Sequence, residues 1–160
     1  MVSVAQEIGK LLRHKGLTLG VVESATGGLL SHLITDVPGS SDYYRGSIIS
    51  YSNDIKIGVI GVNVDTINQF GAVSRQVAEE MAQGGRKVLG VDICMSDTGI
   101  AGPGGATPEK PVGLFYIGFS YQGGTYSEKH IFQGEREQNK RDAVEMALSW
   151  LKRYASSLNN

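Results

Sequence analysis

Between positions 3 and 15 the apolar residues fall at Val4, Ile8, Leu11 and Leu12. That i, i+4, i+7, i+8 spacing puts them on one face of a helix, with Gly16 placed to end it. Leu17–Glu23 is a short apolar run that reads as a strand centred on Leu19, Val21 and Val22. The small residues Ser24–Gly28 predict a turn, followed by a second helix to about Asp36 that Pro38-Gly39-Ser40-Ser41 closes. Tyr43–Ser52 reads as a strand around Ile48 and Ile49, and Asn53–Gly71 as two helical pieces, near Asp54–Ile60 and Asp65–Phe70. Ser74 caps a helix to about Leu89, with Val77, Met81 and Val88 on one side and Ala78, Ala82 and Leu89 beside them. Val91–Asp97 is a strand, and Gly99–Pro111, with four glycines and three prolines, a loop. Val112–Tyr121 and Thr125–Phe132 are strands joined by Gln122-Gly123-Gly124, a hairpin signal. From about Arg136 a last helix turns Val144, Ala147, Leu148, Leu151 and Ala155 inward and frays over its final residues.

Alternating helices and strands followed by a hairpin predict an α/β fold: three layers, α/β/α, with a mixed sheet that includes a C-terminal antiparallel hairpin. No repeat, linker or low-complexity stretch divides residues 1–160, so one domain is expected. A net charge of −1 provides no basic field for nucleic acid. The lone Cys94 excludes a disulfide framework and a cysteine-based zinc site, and predicts a buried free thiol in a reducing, cytoplasmic setting. His14, His32 and His130 are too scattered for a histidine metal site. The N-terminus reads as an amphipathic helix rather than a secretory signal, and no apolar run reaches the roughly 20 residues of a membrane span.

Glycine, at 22 residues, is the outlier, and it clusters beside small hydroxyl residues at expected strand ends. These are the places where open α/β sheets bind ligands. In Glu23–Gly28 the turn offers either an exposed Ser24 hydroxyl with amides at a helix start, or a plain cap by Ser24 or Thr26. In Tyr51–Lys56 the lysine is either a desolvated general base or an exposed surface residue. Thr98–Gly105 has the length and exposed amides of a ligand loop, the alternative being a long structural turn. Arg136 and Arg141 either clamp a phosphate or are simply solvated. The P-loop, the dinucleotide fingerprint and the G-x-S-x-G nucleophile elbow are absent. The single S-x-x-K, Ser149–Lys152, lies inside the last helix without its companion motifs. With so few histidines, an enzyme here needs another base, and lysine is the obvious one.

Glu23–Gly28, Val37–Ser41, Tyr51–Lys56, Gly71–Ser74, Thr98–Gly105, Glu109–Gly113 and Phe132–Arg136 together resemble, in order and spacing, the C-terminal domain of the competence/damage-inducible protein CinA. The resemblance covers roughly residues 5–155 and lacks the N-terminal domain of full-length CinA proteins, as in the family's stand-alone amidohydrolases. It implies hydrolysis of the carboxamide of nicotinamide mononucleotide to nicotinate mononucleotide and ammonia, without metal or organic cofactor. The implied catalytic set is Ser24, Tyr51 and Lys56, with Thr98 in the strand-end loop and arginines at Arg136 and Arg141. Thr26, Gly27, Gly28, Ser41, Asn53, Gly99 and Gly102 join Thr98 and the two arginines as expected substrate-binding positions. Family members often carry Cys after the serine; here it is Ala25, which argues against a participating thiol.

On this reading Ser24 Oγ attacks the amide carbon and Lys56, acting with Tyr51, moves the proton. Amides of Thr26–Gly28 or Thr98–Gly99 hold the oxyanion, and an arginine meets the phosphate. A homo-oligomer, a dimer, is expected from the resemblance, with no nucleic-acid or membrane partner. The alternative is a non-catalytic nucleotide-sensing module. A partner-binding role in DNA uptake or repair has only the family's name behind it.

Overall fold

The computed structural model describes residues 1–158. Helix α1 (Val4–Lys15) leads into β1 (Leu19–Glu23), α2 (Leu29–Thr35), a 3₁₀ turn at Ser40–Asp42 and β2 (Tyr44–Ile49). A helical turn α3 (Asn53–Ile55) passes directly into a π turn over Lys56–Ile60, then α4 (Val64–Phe70) and α5 (Arg75–Leu89). The chain ends with β3 (Ile93–Gly99), β4 (Leu114–Tyr121), β5 (Gly124–Ile131) and α6 (Arg136–Ser157). The sheet order is β2-β1-β3-β4-β5. The first three strands run parallel, and β4 and β5 are antiparallel to their neighbours, so the sheet is mixed as the sequence predicts.

Successive strand residues point to opposite faces, and this sorts the core into two layers. Leu19, Val21, Ile93 and Met95 meet α1, α2 and α6 through Leu12, Leu30, Leu148 and Trp150. Val22 and Cys94 face the other way, onto Val77 and Met81 of α5 and onto Ile60, Val62 and Ile67. Helix α5 lies close to the sheet because Gly85 has no side chain: a Cβ there would stand 2.2 Å from Val22 Cγ2 and 2.8 Å from Cys94 Sγ. At the start of α1, Ser3 and Gln6 form a reciprocal cap, and Gly16 closes the helix at φ 67°.

Several boundaries differ from those expected. Strand β2 stops at Ile49, because Ser52 caps the next helical turn and draws the chain out of the sheet. The expected Asp54–Ile60 helix is the α3 turn followed by the wider π turn. The hairpin turn is only Gln122-Gly123, since Gly124 already pairs with Tyr121. Helix α6 continues to Ser157, and the last two residues of the expected frayed end lie outside the described residues. Among the described residues no helix is long and apolar enough to cross a membrane.

Because β1, β2 and β3 are parallel, their carboxyl ends share one edge of the sheet. Ser24, Ser50 and Gly99 emerge there together.

Candidate active site

The turn after β1 is organised by two buried carboxyl groups. Glu23, fully buried, accepts N–H bonds from Gly28 (3.1 Å) and Leu30 (2.9 Å) through Oε1 and from Ser31 (3.1 Å) through Oε2, closing the start of α2. Asp97 of β3 accepts from Thr26 N (3.1 Å) and, at longer range, from Ser24 N (3.4 Å) through Oδ1. Gly27 and Gly28 hold φ 61° and 109°, a left-handed pair that side chains would strain. The result is a fixed turn with Ser24, 8% exposed, at its head.

Lys56 reaches this serine from the first position of the π turn. Ser52 caps the entry to α3 by accepting from Ile55 N, and Ile60 and Val62 anchor the far side in the core. Wide turns of this kind recur at functional positions because they redirect one side chain out of helical register. The Lys56 side chain is 2% exposed, and Nζ lies 3.0 Å from Ser24 Oγ, 2.7 Å from Ser50 O and 3.2 Å from Tyr51 O. Burial pushes its pKa below the usual lysine value, and the Asp97 carboxyl pulls the other way.

These groups line a cleft of about 200 Å³ with Ala25, Tyr51, Asn53, Ala72, Val73, Thr98, Gly99, Ala101 and Arg136. Thr98 Oγ1 donates to Ala72 O at 2.8 Å and fixes the opposite wall. Arg136, the first residue of α6, donates to Gly102 O at 2.8 Å and approaches the Tyr51 phenol at 3.4 Å. Buried Asn139 ties this rim together, donating to Ala101 O and accepting from Gly134 N.

The structure therefore brings Ser24, Tyr51, Asn53, Lys56, Thr98, Gly99 and Arg136 together in one cleft, with Gly102 just behind its rim. Tyr51 meets Lys56 through its backbone carbonyl, while its phenol is exposed beside Arg136. The Thr26–Gly28 amides are not the free oxyanion donors that the sequence suggests. Thr26 N is taken by Asp97, Gly27 N by Ser24 O and Gly28 N by Glu23. Among the described residues the turn amide left without a protein partner is that of Ala25. Thr26 also turns its hydroxyl inward to Glu23 and Asp97 and does not line the cleft. Ser41 precedes β2, whose start pairs with Leu19, so it sits at the opposite edge of the sheet from Ser24. Arg141 lies outside the cleft, near Gly27 and His32, and pairs with Glu137. Sequence reasoning missed Asp97, Asn139, Ala72 and Val73. The available signal for Asp97 was a carboxyl in an apolar strand, one residue from Thr98.

A family model for the CinA C-terminal domain matches residues 1–155. This chain belongs to the CinA C-terminal domain family. A Halothermothrix orenii protein named for competence-damage induction is 50% identical over 153 residues, which is 95% of this chain and 37% of that protein. A CinA-like protein of Leptospira borgpetersenii is 46% identical over 146 residues, 91% of this chain and 35% of the relative. The chain thus spans little more than a third of the length of the curated relatives it matches. Two CinA-type crystal structures share the fold over nearly their full length. Competence damage-inducible protein A of Klebsiella pneumoniae has 27% identity and a TM-score of 0.94, covering 98% of this chain and 97% of that one. CihA of Agrobacterium tumefaciens, a competence/damage inducible protein, has 34% identity and a TM-score of 0.83, covering 94% and 97%. The CinA fold is thus the α/β sandwich described above, with helices on both faces of a mixed five-stranded sheet.

Proposed function

We propose that this CinA domain is an amidase that hydrolyses the carboxamide of nicotinamide mononucleotide, with Ser24 as nucleophile and Lys56 as base. The observation that carries the reading is the set of partners around Lys56 Nζ. A neutral amine has two N–H bonds and one lone pair. Three oxygens surround Nζ, and in the neutral amine the carbonyls Ser50 O and Tyr51 O can take both N–H bonds, which leaves the lone pair for the Ser24 hydroxyl to donate to. Desolvation favours that neutral form.

Ser24 Oγ attacks the amide carbon as its proton passes to Lys56 Nζ. The oxyanion draws on the Ala25 amide, the position after the nucleophile that hydrolases commonly use. Lys56 returns the proton to the departing nitrogen and ammonia leaves. Water, deprotonated by the same amine, then splits the acyl-serine to nicotinate mononucleotide. Pockets for whole drug-sized ligands run from about 300 Å³ upward. The cleft of about 200 Å³ therefore suits the pyridine carboxamide alone, with ribose and phosphate directed outward toward Arg136. The cationic ring of the substrate adds like-charge pressure against protonation of Lys56.

The test is ammonia release from nicotinamide mononucleotide by purified protein, with Ser24→Ala and Lys56→Ala in parallel. Release that both substitutions abolish supports the assignment. Release that survives Ser24→Ala overturns the covalent route, and binding without release favours a nucleotide-sensing module.

A further inference from the structure

Thr26 Oγ1 lies 2.6 Å from Glu23 Oε1 and 2.5 Å from Asp97 Oδ2. A hydroxyl has one hydrogen, and two ionised carboxylates on either side of it would leave one contact with no hydrogen at all. Glu23 already accepts N–H bonds on both oxygens, from Gly28, Leu30 and Ser31. Asp97 Oδ2 has only the threonine, whereas its Oδ1 faces the Ser24 and Thr26 amides. The missing hydrogen therefore belongs on Asp97 Oδ2, and the chain runs Asp97 O–H to Thr26 O–H to Glu23.

We infer that Asp97 is a positioning residue that works in its protonated form: it holds the Ser24 turn through Thr26 and, being uncharged, leaves Lys56 free of a proton. The inference rests on the Ser24–Lys56 reading and explains how a lysine this close to a buried carboxyl stays neutral. An ionised Asp97 would pull a proton onto Nζ, whereas a neutral one exerts no such pull. The ionisable groups acting on Asp97 are Glu23 on β1 and Lys56 on the π turn. Lys140 of α6 approaches the turn from outside, 3.8 Å from where a Gly27 Cβ would stand. Burial and the neighbouring Glu23 push the Asp97 pKa up to about 7, against the lowering effect of the Thr26 and Ser24 hydrogen bonds. The proton held on Asp97 is not consumed: the one that moves during turnover starts on Ser24 and leaves with ammonia.

Asp97→Asn mimics the protonated acid, since its Nδ2 donates to Thr26 while its Oδ1 still accepts both amides. Asp97→Ala removes every partner at once and separates a loss of structure from a loss of charge. Carbon-13 labelling of the aspartates, with the Asp97 signal assigned by its absence in Asp97→Asn, reads the proton directly and needs no substrate. The expected signal is that of a protonated carboxyl at pH 6, titrating near about 7. A signal that stays ionised down to pH 5 overturns the inference whether or not the protein is an amidase. In ammonia release, wild type is expected to lose rate on the alkaline side. Asp97→Asn keeps wild-type turnover within about threefold at pH 7 and holds it to pH 9, while Asp97→Ala falls about 100-fold or more. An Asp97→Asn protein with an unchanged pH profile, or one as inactive as Asp97→Ala, overturns the role in catalysis. A protonated Asp97 in a wild-type protein that releases no ammonia would leave the proton assignment standing and remove the amidase reading instead.

Discussion

Lys56 Nζ stands 3.0 Å from Ser24 Oγ with both residues buried, one at the head of a turn after β1 and the other on the π turn after β2. Groups that share one proton act as a unit, so their removal is not additive. Ser24→Ala and Lys56→Met should each lower ammonia release by about 10³-fold or more, and the double variant should be no worse than either single one. Steady-state rates of the three variants, with circular dichroism to confirm folding, check this. A double variant markedly slower than both singles would mean that the two residues contribute independently.

Tyr51 touches Lys56 through its carbonyl at 3.2 Å, and its phenol is 3.4 Å from Arg136. The backbone contact survives any side-chain change. Tyr51→Phe should therefore keep kcat within about tenfold of wild type, well above the loss at Lys56. A Tyr51→Phe rate as low as that of Lys56→Met would make the phenol part of the proton path.

The elements that the sequence made legible are those whose apolar period matches their final burial. Strands β1 and β3, with Leu19, Val21, Ile93 and Met95 on one face and Val22 and Cys94 on the other, are of this kind. The Ser24 turn was legible because its glycines need positive φ. The π turn was not, because a side chain turned inward by one extra backbone position has no periodic signature, so by pattern alone Lys56 read as a surface residue and only the family resemblance pointed it to the site. Arg141 lies apart from Arg136 for a geometric reason. Five residues along a helix rotate a side chain by about 140°, so it cannot share a cleft with Arg136 on α6. Asp97 escaped because its role depends on Thr26 and Glu23, which only the folded sheet brings beside it.

The two arginines now have different expected effects. Arg136 lines the cleft, whereas Arg141 is exposed and paired with Glu137 at 3.4 Å. A hydrogen bond to a charged group contributes about 1.5–3 kcal/mol, so Arg136→Ala should raise KM for the nucleotide about 10- to 100-fold. Arg141→Ala should stay within about twofold, as surface ion pairs usually do. The reverse ranking in a Michaelis analysis would move the phosphate to the depression beside Gly27.

Gly85 fixes the distance between α5 and the sheet. An added Cβ would meet Val22 Cγ2 at 2.2 Å and Cys94 Sγ at 2.8 Å, both in the core. Overpacking a core typically costs about 1–3 kcal/mol. At roughly 2–4 °C per kcal/mol for a domain of this size, Gly85→Ala should lower Tm by several degrees in a thermal melt. An unchanged Tm would show that α5 can move off the sheet freely.

Asp97 also sets a pH dependence of stability that needs no substrate to measure. Its pKa is raised by burial to about 7, above the ordinary carboxyl value of 3.8. Between those values the folded protein holds a proton that the unfolded chain has released, so stability falls as pH rises. The contribution is complete below about pH 4 and is lost as pH climbs through about 7. Asp97→Asn cannot ionise and should escape this loss. At pH 8 it should melt at least about 3 °C above wild type, and at pH 5 the gap should narrow or reverse. Lys56 opposes the trend, since its lowered pKa costs stability toward acid, but it is present in both proteins and cancels to first order in the comparison. A gap of the same size at both pH values would mean that Asp97 does not change protonation between them.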